Sequence, residues 1–198
     1  VGLFIKNPEL EPKLGQLLSS MLVEMTERGP DSAGIAIYDG SATDGEVRIT
    51  VLSTDSDYSW EQFKKEVRAV FGESSKVEVN SNHAVLTLQA EAKAVQGWLR
   101  DNHPELYMTS SGTNITIFKE RGLPVDVIAR FGIEGMRGSH ALGHTRMATE
   151  SAVTTSGSHP FSTGQDLCLV HNGSMSNHNR MRRALEFHGA EFQTENDS

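Results

Sequence analysis

The sequence predicts an α+β fold. Three features point to it: a strongly amphipathic helix close to the start, several short β-type runs bounded by turn residues, and an alternation of the two kinds of element through the middle of the chain. The 198 residues fit one large domain or a domain with an insertion, and a hydrophobic share of 37% spread along the length can build a sizeable core.

The elements follow in order. Val1-Gly2-Leu3-Phe4-Ile5 reads as a strand, and Pro8 and Pro12 bracket a turn. Leu14, Leu17, Leu18, Met21, Leu22 and Met25 recur at helical spacing, so a helix is expected near 11–27 with this stripe in the core. Arg28 to Gly34 is too rich in Gly and Pro to be helical and leads into a strand from Ile35 to Tyr38. A Gly-bounded turn at 40–45 and a second strand from Val47 to Leu52 come next. Helices are expected near 59–71, 90–102 and 123–131. Strands are expected near 76–80, 83–88, 105–110 and 113–119, with Ser111-Gly112 turning the last pair. The final third predicts a strand near 139–145, a long loop at 147–165, a strand at 167–171 and a helix near 177–188. A loop that long, polar and poor in core residues is expected to be functional or mobile.

A net charge of −8 and a pI near 5.5 argue against binding nucleic acid or an anionic membrane surface. Arg180, Arg182 and Arg183 read as the solvated face of a helix. No apolar run approaches the roughly 20 residues of a membrane span. The single cysteine, Cys168, has no internal disulfide partner, and a reducing cytoplasm is the natural setting. The chain opens at Val1 inside a strand-like run and stops at Glu195-Asn196-Asp197-Ser198 without a closing element, so a domain truncated at both ends is expected.

Three segments carry candidate chemistry: Arg28–Gly34, Gly143–Glu150 and Val170–Asn177. Asn172-Gly173 after an apolar run is first a turn signal, but an Asn amide and a Gly N–H aimed at one point would also make an oxyanion hole. Arg146 at a strand end could be a surface residue or a bidentate clamp on a carboxylate. Arg28 and Asp31 could be an ion pair that fixes a turn. His140, His144, His159, His171 and His178 fall close together, which invites a metal site, yet no ligand spacing typical of one is present.

Taken together and in this order, the segments resemble the class II (N-terminal-nucleophile) glutamine amidotransferases. In that family the mature chain opens with Cys-Gly-Ile, followed by a strand like Val1-Gly2-Leu3-Phe4. An R-G-x-D-S-x-G segment matches Arg28–Gly34, and G-H-x-R-x-A-T matches Gly143–Thr149. His159-Pro160-Phe161 matches an H-P-F/H segment, and His171-Asn172-Gly173 matches H-N-G. A T-x-x-D-[ST]-E segment would begin at Thr194 and run past Ser198.

The resemblance implies an N-terminal-nucleophile hydrolase fold, a four-layer αββα sandwich. The amidotransferase domain would span 1–198, with an inserted α/β segment at about 53–135. It implies that the thiol of a terminal Cys attacks the side-chain amide of glutamine, with its own α-amine as base. That Cys is expected three residues before Val1 and is absent from this sequence. Asn172 and the Gly173 N–H would stabilise the oxyanion, and Arg146 and Thr149 would hold the glutamine α-carboxylate. Asp197 would pair with its α-ammonium, while Arg28 and Asp31 would shape the site. Met147 and Glu150 depart from the aromatic residue and His found in many members, which bears on glutamine specificity.

The long segment between Gly34 and Gly143 is similar to stand-alone amidotransferase subunits of multi-subunit glutamate synthases, especially the small subunit of N-methylglutamate synthase. That similarity implies a cytoplasmic hetero-oligomer in which ammonia passes to a larger synthase subunit carrying FMN and iron–sulfur clusters. This chain would hold no cofactor or metal. Two rivals stand beside it. One is an amidotransferase-like subunit that has lost catalysis and only organises the complex. The other is an N-terminal-nucleophile amidase of another substrate, which Arg146, Thr149 and Asp197 disfavour because they provide for an amino-acid head group.

Overall fold

The computed structural model describes residues 1–40, 42–43, 45–147, 153–173 and 175–189. The leucine stripe builds helix α1 (Leu14–Glu24), flanked by 3-10 turns at Pro8–Lys13 and Thr26–Arg28. The helix expected near 11–27 is thus α-helical only over Leu14–Glu24, with a 3-10 turn at each end, the first of which contains Pro12. Strand β2 (Ser32–Tyr38) begins three residues earlier than its composition suggests. It is a central strand bonded along its whole length on both sides, and those ladders outweigh the turn preference of Ser32 and Gly34.

Two four-stranded antiparallel sheets form the body. The first has the order β1 (Gly2–Phe4), β8 (His140–Arg146), β2, β7 (Ile115–Arg121). One of its faces packs on α1 and α4 (Pro124–Phe131). There Leu14, Leu18 and Leu22 meet Ala33, Ile35, Ile37, Phe118, Phe131 and Ala141. The second sheet has the order β4 (Lys76–Asn80), β5 (His83–Leu88), β3 (Val47–Ser53), β6 (Leu106–Gly112). Its apolar face carries α2 (Trp60–Phe71) and α3 (Ala92–Asn102), with Phe63, Val67, Val95 and Leu99 against Ile49, Val51, Leu86 and Leu88. The sheets touch where Thr109 Oγ1 donates to Thr50 O (3.3 Å) and Ile117 O (3.1 Å). His83 is buried there against the Phe118 and Phe131 rings, and burial lowers its pKa to about 3. The second sheet comes wholly from residues 47–112, whereas β7 and α4 belong to the first layer.

The chain passes from β6 in the second sheet to β7 in the first through a turn at Thr113-Asn114 rather than at Ser111-Gly112, because a distant carboxylate holds the turn. Asp166, in a left-handed conformation (φ 54°), accepts from the N–H groups of Thr113 (2.9 Å), Asn114 (2.7 Å) and Ile115 (3.1 Å). A Cβ on Gly112 would lie 2.2 Å from Asp166 Oδ1, so this position requires glycine. Burial alone would raise the Asp166 carboxyl, but these hydrogen bonds outweigh it and hold it below its ordinary value. Asp166 lies in the turn of a small hairpin, β9 (Phe161–Gly164) and β10 (Leu167–Leu169), so the expected 147–165 loop ends in a strand. Helix α5 (His178–Phe187) follows and buries no residue. Among the described residues, no helix is long and apolar enough to cross a membrane.

Candidate active site

Side chains alternate along β2: Ala33, Ile35 and Ile37 face α1, so Ser32, Gly34 and Ala36 occupy the opposite face. Cross-strand partners share a face, and Ser32 pairs with both Arg146 and Arg121 while Gly34 pairs with both His144 and Lys119. His144, Arg146 and Lys119 therefore stand together at one end of the first sheet, on the face away from α1. The Arg28–Ser32 segment wraps the end of β8. Asp31 N donates to Arg146 O (3.0 Å), Pro30 bridges Arg146, and Gly122 N ties the Asp31 carbonyl (2.8 Å). Gly29 allows this approach, since a Cβ there would lie 2.5 Å from Arg146 N. Arg28 is exposed at the end of its 3-10 turn. The structure thus brings the Arg28–Asp31 segment to Arg146, as a backbone cradle around a strand end.

A strap formed by residues 154–161 crosses the same face. Thr155, Ser158 and His159 are buried, and the His159–Pro160 peptide is cis. Within the expected 147–165 loop these residues are fastened, because Lys119 Nζ donates to the carbonyls of Ser156 (2.9 Å), Ser158 (2.8 Å) and Pro160 (3.4 Å). The ammonium also lies 4.5 Å from the centre of the Phe161 ring. Desolvation lowers the Lys119 pKa to about 7. The His159 ring lies 4.5 Å from that of His144. Desolvation, followed by the charges of His144, Lys119 and Arg146, lowers its pKa to about 3, and His144 is lowered mainly by burial. Both imidazoles are therefore neutral near pH 7. In that state His144 Nε2 donates to His171 O (3.0 Å), which docks the His171-Asn172-Gly173 segment beside Arg146's strand. Asn172 and Gly173 are exposed there, with Gly173 against the His171 ring.

Thr149 and Asp197 lie outside the described residues. Cys168 packs at the other end of the face, its Sγ 3.4 Å from Tyr38 Oη, and burial raises its thiol pKa, which suits a structural residue. His140 stacks on Tyr38 at 4.0 Å, also away from Arg146. Among the described residues, no three His, Cys, Asp or Glu side chains converge as metal ligands. Lys119 and Glu120 escaped the sequence reading. A signal for Lys119 existed: it continues the Ile115, Ile117 alternation, so its side chain had to point the same buried way.

Residues 130–198 match the family model of the glutamine amidotransferase domain. Over its full length the chain is 52% identical to the glutamine amidotransferase-like protein GlxB of Rhizobium meliloti (strain 1021), of which it covers 65%. A candidate glutamine amidotransferase of Methanothermobacter thermautotrophicus (strain Delta H) is 28% identical along the whole chain, which covers 68% of it. Over 44% of the chain, the glutamine–fructose-6-phosphate aminotransferase of Sulfurisphaera tokodaii is 35% identical, with 15% of that protein covered. The chain therefore spans about two thirds of the first two of these relatives. Its last third matches the glutamine amidotransferase domain, and over its whole length the chain is a homologue of a glutamine amidotransferase-like protein.

Proposed function

We propose that this chain hydrolyses glutamine by the class II, N-terminal-nucleophile route and delivers ammonia to a partner synthase. The observation that carries the reading is the register of β1. Gly2, Leu3 and Phe4 oppose Leu142, Ala141 and His140, and Val1 and Gly143 exchange two hydrogen bonds of 2.8 Å. Continued three residues further, the same register would set a residue opposite Arg146, in a non-hydrogen-bonded pair, where side chains approach most closely. By strand alternation its side chain would fall on the face that Phe4 shares with His140, and hence with His144 and Arg146.

A cysteine at that position attacks the side-chain carbonyl carbon of glutamine, with its α-amine taking the thiol proton. The Asn172 amide and the Gly173 N–H donate to the oxyanion, and collapse releases ammonia and leaves a γ-glutamyl thioester that water hydrolyses. Arg146 and Thr149 hold the α-carboxylate, Asp197 pairs with the α-ammonium, and Arg28 and Asp31 hold the end of β8. In this reading the two four-stranded sheets form the inner layers of an αββα sandwich. The partner is a larger synthase subunit of the glutamate or N-methylglutamate synthase type, with FMN and iron–sulfur clusters on that subunit, in a cytoplasmic hetero-oligomer. A chain stretch with one cysteine has too few thiolates to ligate such a cluster itself.

Arg146→Lys tests the head-group assignment. It keeps the charge but loses the planar fork, so the KM for glutamine rises roughly ten- to a hundredfold, from about 1.5–3 kcal/mol per charged hydrogen bond. An unchanged KM removes Arg146 from the carboxylate site.

A further inference from the structure

β7 is the outer strand of the first sheet, and the strap is held from both of its sides. On one side the buried Glu120 accepts from the Thr155 hydroxyl, while its other oxygen takes Asn82 Nδ2 (2.7 Å) and the Arg130 guanidinium (3.3 Å). On the other side Lys119 directs its ammonium at three strap carbonyls, matching three donors to three acceptors. Within the strap, Gly157 N donates to Thr154 Oγ1 (3.0 Å) and Ser158 Oγ to Thr154 O (2.9 Å). From here contacts run toward the Asn172–Gly173 segment. Phe161 packs edge-on to His159 (4.7 Å), His159 lies on His144 (4.5 Å), and His144 Nε2 donates to the carbonyl of His171 (3.0 Å).

We propose that Lys119 is a positioning residue for glutamine hydrolysis: by fastening the strap it fixes His159 against His144, and through the His171 carbonyl it sets the Asn172–Gly173 pair. The role rests on reading that pair as the oxyanion site. Lys119 stands across β2 from His144, with the strap resting on Gly34 between them, and acts through the strap. The coupling follows from bond count. Without the ammonium, three carbonyls around a buried site lose their donor together, and the strap must move to find water. His144 then loses the ring that orients it, and the carbonyl it holds is released.

The test uses full-length protein and two variants. Lys119→Met keeps the apolar stem and removes every donor, and Thr155→Val removes only the hydroxyl that Glu120 holds. Hydrogen exchange is followed at residues 158–161 and 170–173, together with glutamine hydrolysis. For Lys119→Met, exchange should rise at least about tenfold in both segments while β2 stays protected. Its kcat should fall roughly ten- to a hundredfold with KM within about twofold, in keeping with the ~10²-fold that a 1 Å misplacement can cost. Thr155→Val should shift the same two segments together, by less. Faster exchange in the strap with no change at 170–173, in either variant, overturns the coupling, and it is read without any turnover. An active wild type with an equally active, folded Lys119→Met also overturns it. A wild type that does not hydrolyse glutamine, with both segments still loosening together, counts against the functional reading and leaves the coupling supported.

Discussion

Gly34→Ala is the smallest change that presses on the strap from beneath. Gly34 is the third residue of β2, between His144 and Lys119, and a Cβ there would sit 2.1 Å from the His159 carbonyl oxygen and 2.7 Å from Lys119 Cβ. The nearer atom belongs to backbone, so no side-chain rotation relieves the clash. The strap must retreat by more than about 1 Å to restore ordinary contact, or β2 must bend against two complete ladders. Overpacking of this kind costs about 1–3 kcal/mol. For a chain of this size that lowers Tm by roughly 2–4 °C per kcal/mol. A 1 Å retreat of His159 also loosens its packing on His144, so kcat for glutamine should fall by up to about 10²-fold in the folded fraction. Thermal unfolding and steady-state glutaminase kinetics read the two effects separately. A variant with unchanged Tm and kcat would falsify the claim that the strap rests directly on Gly34.

Two further predictions address the oxyanion site and the hairpin clasp. Asn172→Ala should fold normally and bind glutamine with little change in KM but lose about 10²–10³ in kcat, as loss of one oxyanion donor does; near-normal kcat would leave Asn172 a turn residue. Asp166→Asn keeps the left-handed backbone but loses the anion that three N–H groups share, and should cost about 1–2 kcal/mol at pH 7 in this partly solvated turn. Because its folded pKa is depressed, the Asp166 contribution is complete above the ordinary carboxylate value of about 3.9 and is lost as pH falls through the lower folded value. Wild type and Asp166→Asn should therefore converge in stability only at strongly acidic pH, and a gap that persists there would exclude this origin.

Local pattern carried the elements well. The Leu14–Leu22 stripe, the β-branched run of β3 and the Trp60, Phe63, Val67 spacing of α2 each state their period and buried face within a few residues. What they cannot state is the partner. Nothing in β3 to β6 says that they build a second sheet while β7 returns to the first, since that choice is made between residues far apart in sequence. The turn at Thr113-Asn114 depends on Asp166, 52 residues away from Asn114. The Arg28–Gly34, Arg146 and His171–Gly173 segments stood out as candidates because Gly, Arg and Asn stand where apolar strands end. The strap was not. Its polar residues read as an open loop because the buried ammonium and carboxylate that satisfy them lie in β7.

The central claim is a cysteine nucleophile facing Arg146. Full-length protein treated with a diazoketone analogue of glutamine, digested and mapped by mass spectrometry, tests it most directly. One label per chain is expected, on a cysteine three residues before Val1, with labelling suppressed by excess glutamine. Labelling confined to Cys168, or no glutamine-protected label at all, would contradict it.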